Sequence, residues 1–206
     1  MFSRTTEPAC ADSDATNGCS TTIDADKTSS LVLPESEQRS YECPAGGYCV
    51  AGSGLWVACV AGTYNAVPGQ REVADCLSCP AGKYCSGPAT AADIGNSAPD
   101  GTCSDGYYCV AGSSSATQAA ASIGHYARAG FASEAGCAPG SYQGTAGQSS
   151  CVTCEAGNYC PGFGNTANAA CPSGYYCPSE TDKPIPCPKG TFDATGGLTQ
   201  SSECTP

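Results

Sequence analysis

Apolar and polar positions along this chain recur in one short motif, Cys-x-x-Gly-x-Tyr, which places an aromatic ring five positions after a cysteine. Proline or alanine often precedes the glycine, and this pattern predicts a tight turn in which the glycine adopts a positive φ. The aromatic residue then lies near the start of a short strand. We therefore predict short β-hairpins and coil, with little helix outside residues 116–121.

The motif repeats nine times, and neighbouring copies are 16 to 24 residues apart. Each copy, with the residues that follow it, is called a module here; modules are numbered 1 to 9. The cysteine is position 1, the glycine position 4 and the aromatic residue position 6. Position 1 is occupied, in order, by Cys43, Cys59, Cys79, Cys103, Ala121, Cys137, Cys154, Cys171 and Cys187. The module at 121–136 is degenerate, because alanine replaces its cysteine.

Aromatic residues keep a fixed place in the repeat. Eight of the eleven tyrosines and one phenylalanine occupy position 6. They are Tyr48, Tyr64, Tyr84, Tyr108, Tyr126, Tyr142, Tyr159, Tyr176 and Phe192. This regular placement favours a packing role, in which each ring covers its own or a neighbouring disulfide and forms the core of its module.

Cysteine compensates for a shortage of large apolar residues. Leu, Ile, Val and Phe together number 21 of 206 residues, a proportion typical of disordered chains, whereas the 18 cysteines are an even number. Disulfides stabilise a fold by restricting the unfolded chain, each by roughly 2–4 kcal/mol in favourable cases. They require an oxidising compartment, so we expect a secreted or cell-surface protein.

The modules differ in where their second cysteine lies. In five modules it directly follows the aromatic residue, at position 7: Cys49, Cys85, Cys109, Cys160 and Cys177. Modules 2, 6 and 9 lack it and carry a more distal cysteine instead, which is Cys76, Cys151 or Cys204. The degenerate module has Ala121 at position 1 and Ala127 at position 7, so both cysteines are absent together. This joint absence favours bridges that stay inside one module.

The simplest scheme joins successive cysteines. The predicted bridges are Cys10–Cys19, Cys43–Cys49, Cys59–Cys76, Cys79–Cys85, Cys103–Cys109, Cys137–Cys151, Cys154–Cys160, Cys171–Cys177 and Cys187–Cys204. No bridge of this set connects distant modules. We therefore expect a small disulfide-rich fold in an elongated tandem array, in which each module contacts mainly its neighbours.

Other uses of the cysteines are less favoured by the sequence. Cys76-Leu-Ser-Cys79 and Cys151-Val-Thr-Cys154 have a spacing that can bind zinc, but His125 is the only histidine. Redox catalysis would need a surrounding βαβ pattern. Because no base lies beside a nucleophile in a recognisable motif, we expect no enzymatic activity, no metal and no cofactor.

Charge and hydropathy narrow the range of partners. The net charge of −11 and the pI near 4.2 argue against nucleic acid and anionic membranes. No apolar run approaches transmembrane length, so membrane insertion is not expected. No hydrophobic signal segment follows Met1, which would fit a mature chain or a fragment of a longer precursor.

The stretch from Cys137 to Tyr159 resembles the ephrin-receptor-like cysteine-rich repeat, and this resemblance extends less completely over residues 43–206. The stretch is also similar to the first submodule of tumour-necrosis-factor-receptor repeats, and that similarity implies the Cys137–Cys151 type of bridge. Tandem arrays that resemble this one occur in large surface proteins of protists and algae, including flagellar-hair-like components. The Cys-x5-Cys variant departs from the receptor pattern.

Residues 1–42 lie outside the repeat and form an acidic arm with the predicted Cys10–Cys19 loop. Leu31, Val32 and Leu33 make a short apolar patch that could add a strand to a sheet edge. Docking on the next molecule would propagate head to tail into a filament. Docking near Trp56, in the first module of the same molecule, would not, and the sequence leaves both arrangements open.

Together these features favour a structural subunit of an extracellular filament, surface coat or flagellar-hair-like assembly, which polymerises with itself or joins other matrix or coat proteins. The alternative is the ligand-binding ectodomain of a cell-surface receptor, which would be a monomer. No Asn-x-Ser/Thr sequon is present. Serine and threonine in Thr28-Ser29-Ser30 and in Ser113 to Thr117 are candidate acceptors of O-linked glycans.

Overall fold

A computed structural model describes residues 43–50, 56–88 and 95–206. The acidic arm, with Cys10, Cys19 and the patch of Leu31, Val32 and Leu33, lies outside the described residues. The described chain forms short antiparallel hairpins and coil, cross-linked by disulfides, which confirms the predicted class of a disulfide-rich β-hairpin fold. No helix among these residues is long and apolar enough to cross a membrane.

Sixteen strands of two or three residues are described, and each odd-numbered strand pairs with the next one along the chain. They are β1 (Gly47–Cys49), β2 (Trp56–Ala58), β3 (Thr63–Tyr64), β4 (Leu77–Ser78), β5 (Lys83–Tyr84), β6 (Gly101–Thr102), β7 (Tyr107–Tyr108), β8 (Ala119–Ala120), β9 (His125–Tyr126), β10 (Ala135–Gly136), β11 (Ser141–Tyr142), β12 (Val152–Thr153), β13 (Asn158–Tyr159), β14 (Ala169–Ala170), β15 (Tyr175–Tyr176) and β16 (Ile185–Pro186). Each of modules 1 to 8 contributes one such hairpin.

Every hairpin starts at the glycine turn of its module. The position-4 glycines have φ values from +78° to +93°, a region that residues with a side chain rarely adopt. The strand that follows contains position 6, and its partner strand immediately precedes position 1 of the next module. Tyr48 therefore lies opposite Val57, and Tyr176 lies opposite Ile185.

Helical structure in the described chain consists of two turns of 3-10 helix, Val73–Asp75 and Ser201–Glu203. The prediction of a helix over 116–121 was wrong, because Ala119–Ala120 is strand β8 and pairs with β7. The Thr117 amide donates to the Ser115 hydroxyl, 3.2 Å away, and such local bonds compete with helical ones. Strand pairing and this turn override the helix propensity of the alanines.

Cysteine fills the interior of the described residues. Apart from glycines, the buried residues without a polar side chain are twelve cysteines together with Ala121 and Ala127. The eight tyrosines of position 6 are half-buried, and Phe192 is 57% exposed. The rings of position 6 are thus less buried than most of the bridging cysteines.

The chain clusters into two compact units. The first contains the described residues within 43–60, 64–77 and 87–98, and the second those within 61–63, 78–86 and 99–206. Every module-to-module contact given below joins residues of the same unit.

Backbone strain at Glu180 provides a test of the turn geometry. In the described part of the chain Glu180 is the only residue other than glycine with a positive φ, +66°. We expect Glu180→Gly to stabilise the protein by about 0.5–1 kcal/mol, since relief of left-handed strain outweighs the added entropy of the unfolded chain. Urea unfolding measures the change. Glu155→Gly, at an exposed glutamate with an ordinary φ, should destabilise, and equal losses for both variants would contradict the assignment.

Candidate functional site

Eight disulfides lie within the described residues, and each joins two cysteines of one module. The pairs are Cys43–Cys49, Cys59–Cys76, Cys79–Cys85, Cys103–Cys109, Cys137–Cys151, Cys154–Cys160, Cys171–Cys177 and Cys187–Cys204. Their Cα–Cα distances of 5.6–6.2 Å lie in the range of protein disulfides. These are the pairs obtained by joining successive cysteines of residues 43–206.

The two CxxC segments are each divided between different bridges. Cys151 belongs to the bridge of module 6 and Cys154 to that of module 7. Cys76 and Cys79 are divided in the same way. Among the residues that the structure describes, no cluster of three or more histidine, cysteine or acidic residues could hold a metal.

Module 5 keeps the frame of a disulfide site without the disulfide. Ala121 and Ala127 are both 0% exposed, so they fill the places that cysteines occupy in the preceding module. The Ala121 amide donates to the Gly106 carbonyl at 2.9 Å, and the Ala127 amide donates to the Gln148 carbonyl at 3.0 Å. These are the backbone bonds that cysteines make elsewhere in the repeat, so the frame does not depend on the bridge.

Modules with a long bridge carry a polar residue at position 7, and it organises the following loop. Asn65 donates from Nδ2 to the Gly47 carbonyl at 2.7 Å and accepts from the Val67 amide at 3.0 Å. Gln143 accepts from the Thr145 amide at 3.0 Å through Oε1. Outside module 5, where position 7 is Ala127, this position therefore holds either a bridging cysteine or a polar residue. The alternation is visible in the sequence, but the role of the polar residue becomes clear only from its hydrogen bonds.

Successive modules are joined by backbone hydrogen bonds that repeat from module to module. The amide of each position-4 glycine in modules 1 to 8 donates to the position-7 carbonyl of the next module, at 2.7–2.9 Å. The carbonyl of the same glycine accepts from the position-1 amide of the next module, at 2.8–3.1 Å. For Gly157 these partners are Cys177 and Cys171. We call this arrangement the module joint.

A second turn, which follows the glycine turn and position 7 within the same module, completes the module joint. The position-7 amide of modules 1 to 8 donates to a carbonyl in the second turn of the next module, at 2.8–3.0 Å. In seven of these modules the position-1 carbonyl accepts from a backbone amide of the same second turn, at 2.6–3.0 Å. This amide belongs to the residue directly before the one whose carbonyl accepts from position 7. The accepted amides belong to Gly69, Gly112, Gly130, Gly147, Gly164, Glu180 and Gly197. In six of modules 2 to 9 a glycine six or seven residues after position 4 marks this turn, a signal that the sequence analysis missed.

The position-4 glycine also touches the module after next. A Cβ on Gly82 would collide with the carbonyl of Gly130, two modules on, and a Cβ on Gly140 would collide with the carbonyl of Glu180. The corresponding contact exists for every position-4 glycine from Gly46 to Gly157. Position 4 therefore requires glycine for two reasons, its positive φ and the space taken by another backbone.

A small polar network lies on the degenerate module. Ser122 donates from its amide to Glu134 Oε2 at 2.7 Å and from its hydroxyl to Oε1 at 3.0 Å. The amide bond is the main reason that the pKa of Glu134 is lowered from its usual value. His125 Nδ1 lies 3.2 Å from both the Ser122 hydroxyl and the Ile123 carbonyl. The two bonds to the carboxylate join Ser122 to Glu134, twelve positions later in the same module.

Two carboxylates fix the loops of module 9. Glu203 accepts from the Thr199 hydroxyl and amide, each at 2.7 Å, and these bonds lower its pKa, the hydroxyl contributing most. Asp193, at position 7, accepts from the Gly196 amide at 2.6 Å, and this bond is the main cause of its lowered pKa. Both loops therefore favour the ionised carboxyl.

Restoring the missing bridge should stabilise module 5. We expect the double variant Ala121→Cys with Ala127→Cys to form a ninth disulfide in the region 43–206 and to gain about 2 kcal/mol, the value for so short a loop. Thiol titration and thermal unfolding measure both effects. The double variant with serine at both positions is the control, and it should be less stable because two buried hydroxyls replace methyl groups. Free thiols in the folded cysteine variant would refute the assigned site.

Acid should weaken module 9. A carboxyl with a lowered pKa contributes stability that is present above its unfolded pKa and lost as pH falls through its folded pKa, which lies below the ordinary value of 4.5 for Glu203 and of 3.8 for Asp193. Glu203→Gln should remove part of this loss and lower the stability of module 9 at pH 7. Amide hydrogen exchange from pH 7 to pH 3 measures it, with Glu155→Gln as the control. Identical acid dependence in the two variants would count against the Thr199–Glu203 contact.

No protein-family model matches this chain, and no curated protein is significantly similar to it. The resemblance to ephrin-receptor-like repeats therefore rests on the motif and its spacing, and the function must be argued from the modules themselves.

Proposed function

We propose that this chain is a structural subunit of an extracellular filament, surface coat or flagellar-hair-like assembly, acting by self-association and not by catalysis. The observation that carries this proposal is the module joint, which repeats with the same backbone bonds along the described chain. Repeats that bind their neighbours through one geometry are suited to extended structures, since each added unit buries the same groups.

The placement of the disulfides supports a role outside the cell. Eight bridges form the interior of the described modules, and the cytosol would keep such cysteines reduced. Covalent bridges inside every module except module 5 give durability to a protein that lacks an aliphatic core. The resemblance of residues 43–206 to tandem arrays of protist and algal surface proteins points in the same direction.

Large apolar side chains on the surface are suited to contacts between subunits. Phe163 is 79% exposed, and Val60 and Val73 are each 67% exposed. Such side chains supply contact area in protein interfaces, while the net charge of −11 opposes unspecific aggregation. In the proposed assembly, the exposed apolar side chains form the contacts between subunits, and the net negative charge limits unspecific association.

We propose O-linked glycans in the loop Ser113 to Thr117, at fewer residues than the sequence alone suggests. Ser113 is 1% exposed and its hydroxyl donates to the Val110 carbonyl at 2.7 Å, so it is closed to a transferase in the folded module. Ser115 and Thr117 are exposed, with their hydroxyl oxygens 3.2 Å apart. We therefore assign candidate acceptor positions in this loop to Ser115 and Thr117.

Negative-stain microscopy of the oxidised, secreted chain tests the proposed function. We expect regular fibres or sheets to form as concentration rises, and we expect a thiol reductant to abolish them because the modules lose their interior. Dispersed particles with no regular assembly, alone or with co-purifying coat proteins, would overturn the proposal and favour the ligand-binding ectodomain.

A further inference from the structure

The eight bridges leave one long stretch of the chain without a covalent cross-link. The 27 residues 110–136 lie between Cys109 and Cys137, and none of the eight bridges encloses them. The next longest such stretch within 43–206, residues 86–102, has 17 residues. The long stretch arises because module 5 has alanine at positions 1 and 7. A single break of the backbone in residues 110–136 therefore yields two pieces that none of these disulfides joins.

Two arginines occur within residues 43–206, and they differ in their relation to the bridges. Arg71 lies inside the loop that Cys59–Cys76 closes, so a cut after it leaves both new ends attached to one disulfide. Arg128 lies in the bridge-free stretch. Both residues are exposed. Cleavage after Arg71 thus leaves the modules connected, whereas cleavage after Arg128 separates modules 1 to 4 from modules 6 to 9.

In the folded protein the peptide bond after Arg128 is held in the second turn of module 5. The Arg128 carbonyl accepts from the Phe131 amide at 3.0 Å. The Ala129 amide donates to Asp105 Oδ1 at 2.9 Å, and Arg128 Cζ lies 5.8 Å from the centre of the Tyr126 ring. A protease that binds its substrate as an extended strand needs these same backbone groups. The turn must therefore open before the bond after Arg128 is cut.

The attachment of this turn is entirely non-covalent. The Gly130 amide donates to the Cys103 carbonyl at 3.0 Å. The Phe131 carbonyl accepts from the Cys109 amide, also at 3.0 Å. In the other modules a disulfide limits how far the chain can open, but module 5 has none. Local opening occurs in segments with few buried apolar contacts, and proteolysis then follows the population of the open state.

We propose that the Arg128–Ala129 bond is a processing site, at which an arginine-specific protease divides the chain after local opening of module 5. The reaction is hydrolysis. Water adds across the peptide bond and its C–N bond breaks, so that Arg128 gains the hydroxyl as a new carboxyl group and Ala129 gains the hydrogen as a new amine. This inference goes beyond the proposed function and does not depend on it, because the cut divides the chain whether or not it assembles.

Digestion of the full oxidised chain with an arginine-specific endoprotease tests the site, with electrophoresis and mass spectrometry under denaturing, non-reducing conditions. We expect a fragment that starts at Ala129 and contains modules 6 to 9. Arg128→Gln should abolish this fragment, whereas the matched control Arg71→Gln should leave it unchanged, and both variants should keep eight mapped bridges in residues 43–206. A natural chain that stays undivided, although the same protease cuts the reduced and alkylated chain after Arg128, would overturn the inference.

The rate of cleavage tests the role of opening. Ala121→Cys with Ala127→Cys adds a bridge that does not enclose Arg128, and it should slow the cut at least tenfold, whereas serine at both positions should not slow it. Asp105→Ala removes the acceptor of the scissile amide and should speed the cut severalfold, with Glu155→Ala, at an exposed carboxylate of module 7, as its control. Equal rates with and without the ninth bridge would overturn the inference, and so would equal rates for Asp105→Ala and Glu155→Ala.

Discussion

The whole arrangement depends on a backbone approach that leaves no room for a side chain at position 4 of modules 1 to 7. Its glycine has a positive φ, donates to one module, accepts from the same module, and touches the carbonyl of the module after that. The three constraints act on one residue and require the same amino acid. A substitution there would strain the turn, separate two modules and displace a third, so this glycine couples the local turn to the joining of modules.

Two kinds of interaction share the stabilisation of the protein. Inside a module the disulfide replaces the aliphatic core, and the aromatic residue of position 6 is half-buried in modules 1 to 8. Between modules the bonds are made by the backbone, so they place few demands on side chains. Module 5 separates the two kinds, because Ala121 and Ala127 keep the backbone bonds in the absence of the sulfur bridge. This division explains how modules of different length and bridge type can follow one another in one chain.

Much of the fold within a module could be predicted from the sequence, because the relevant residues are close along the chain. The turn glycine, the aromatic strand and the pairing of Cys79 with Cys85 all lie within seven residues. The joint could not be predicted in this way. Its bonds connect residues such as Cys85 and Ser113, which lie 28 positions apart, and backbone groups carry no sequence signature. The helix prediction over residues 116–121 was wrong for a related reason, because strand pairing with Tyr107–Tyr108 overrides the local helix propensity of the alanines.

The local bridges also determine the order in which the chain matures during synthesis. In the secreted chain that we propose, two cysteines six positions apart, such as Cys154 and Cys160, can pair as soon as both have entered the oxidising compartment. The glycine between them, Gly157, acquires its hydrogen-bond partners only when module 8 has followed, and its full cover only with module 9. Folding therefore proceeds from the amino end, with covalent closure ahead of packing by up to two modules. A wrong bridge would have to span finished modules, so vectorial emergence itself protects the correct pairing.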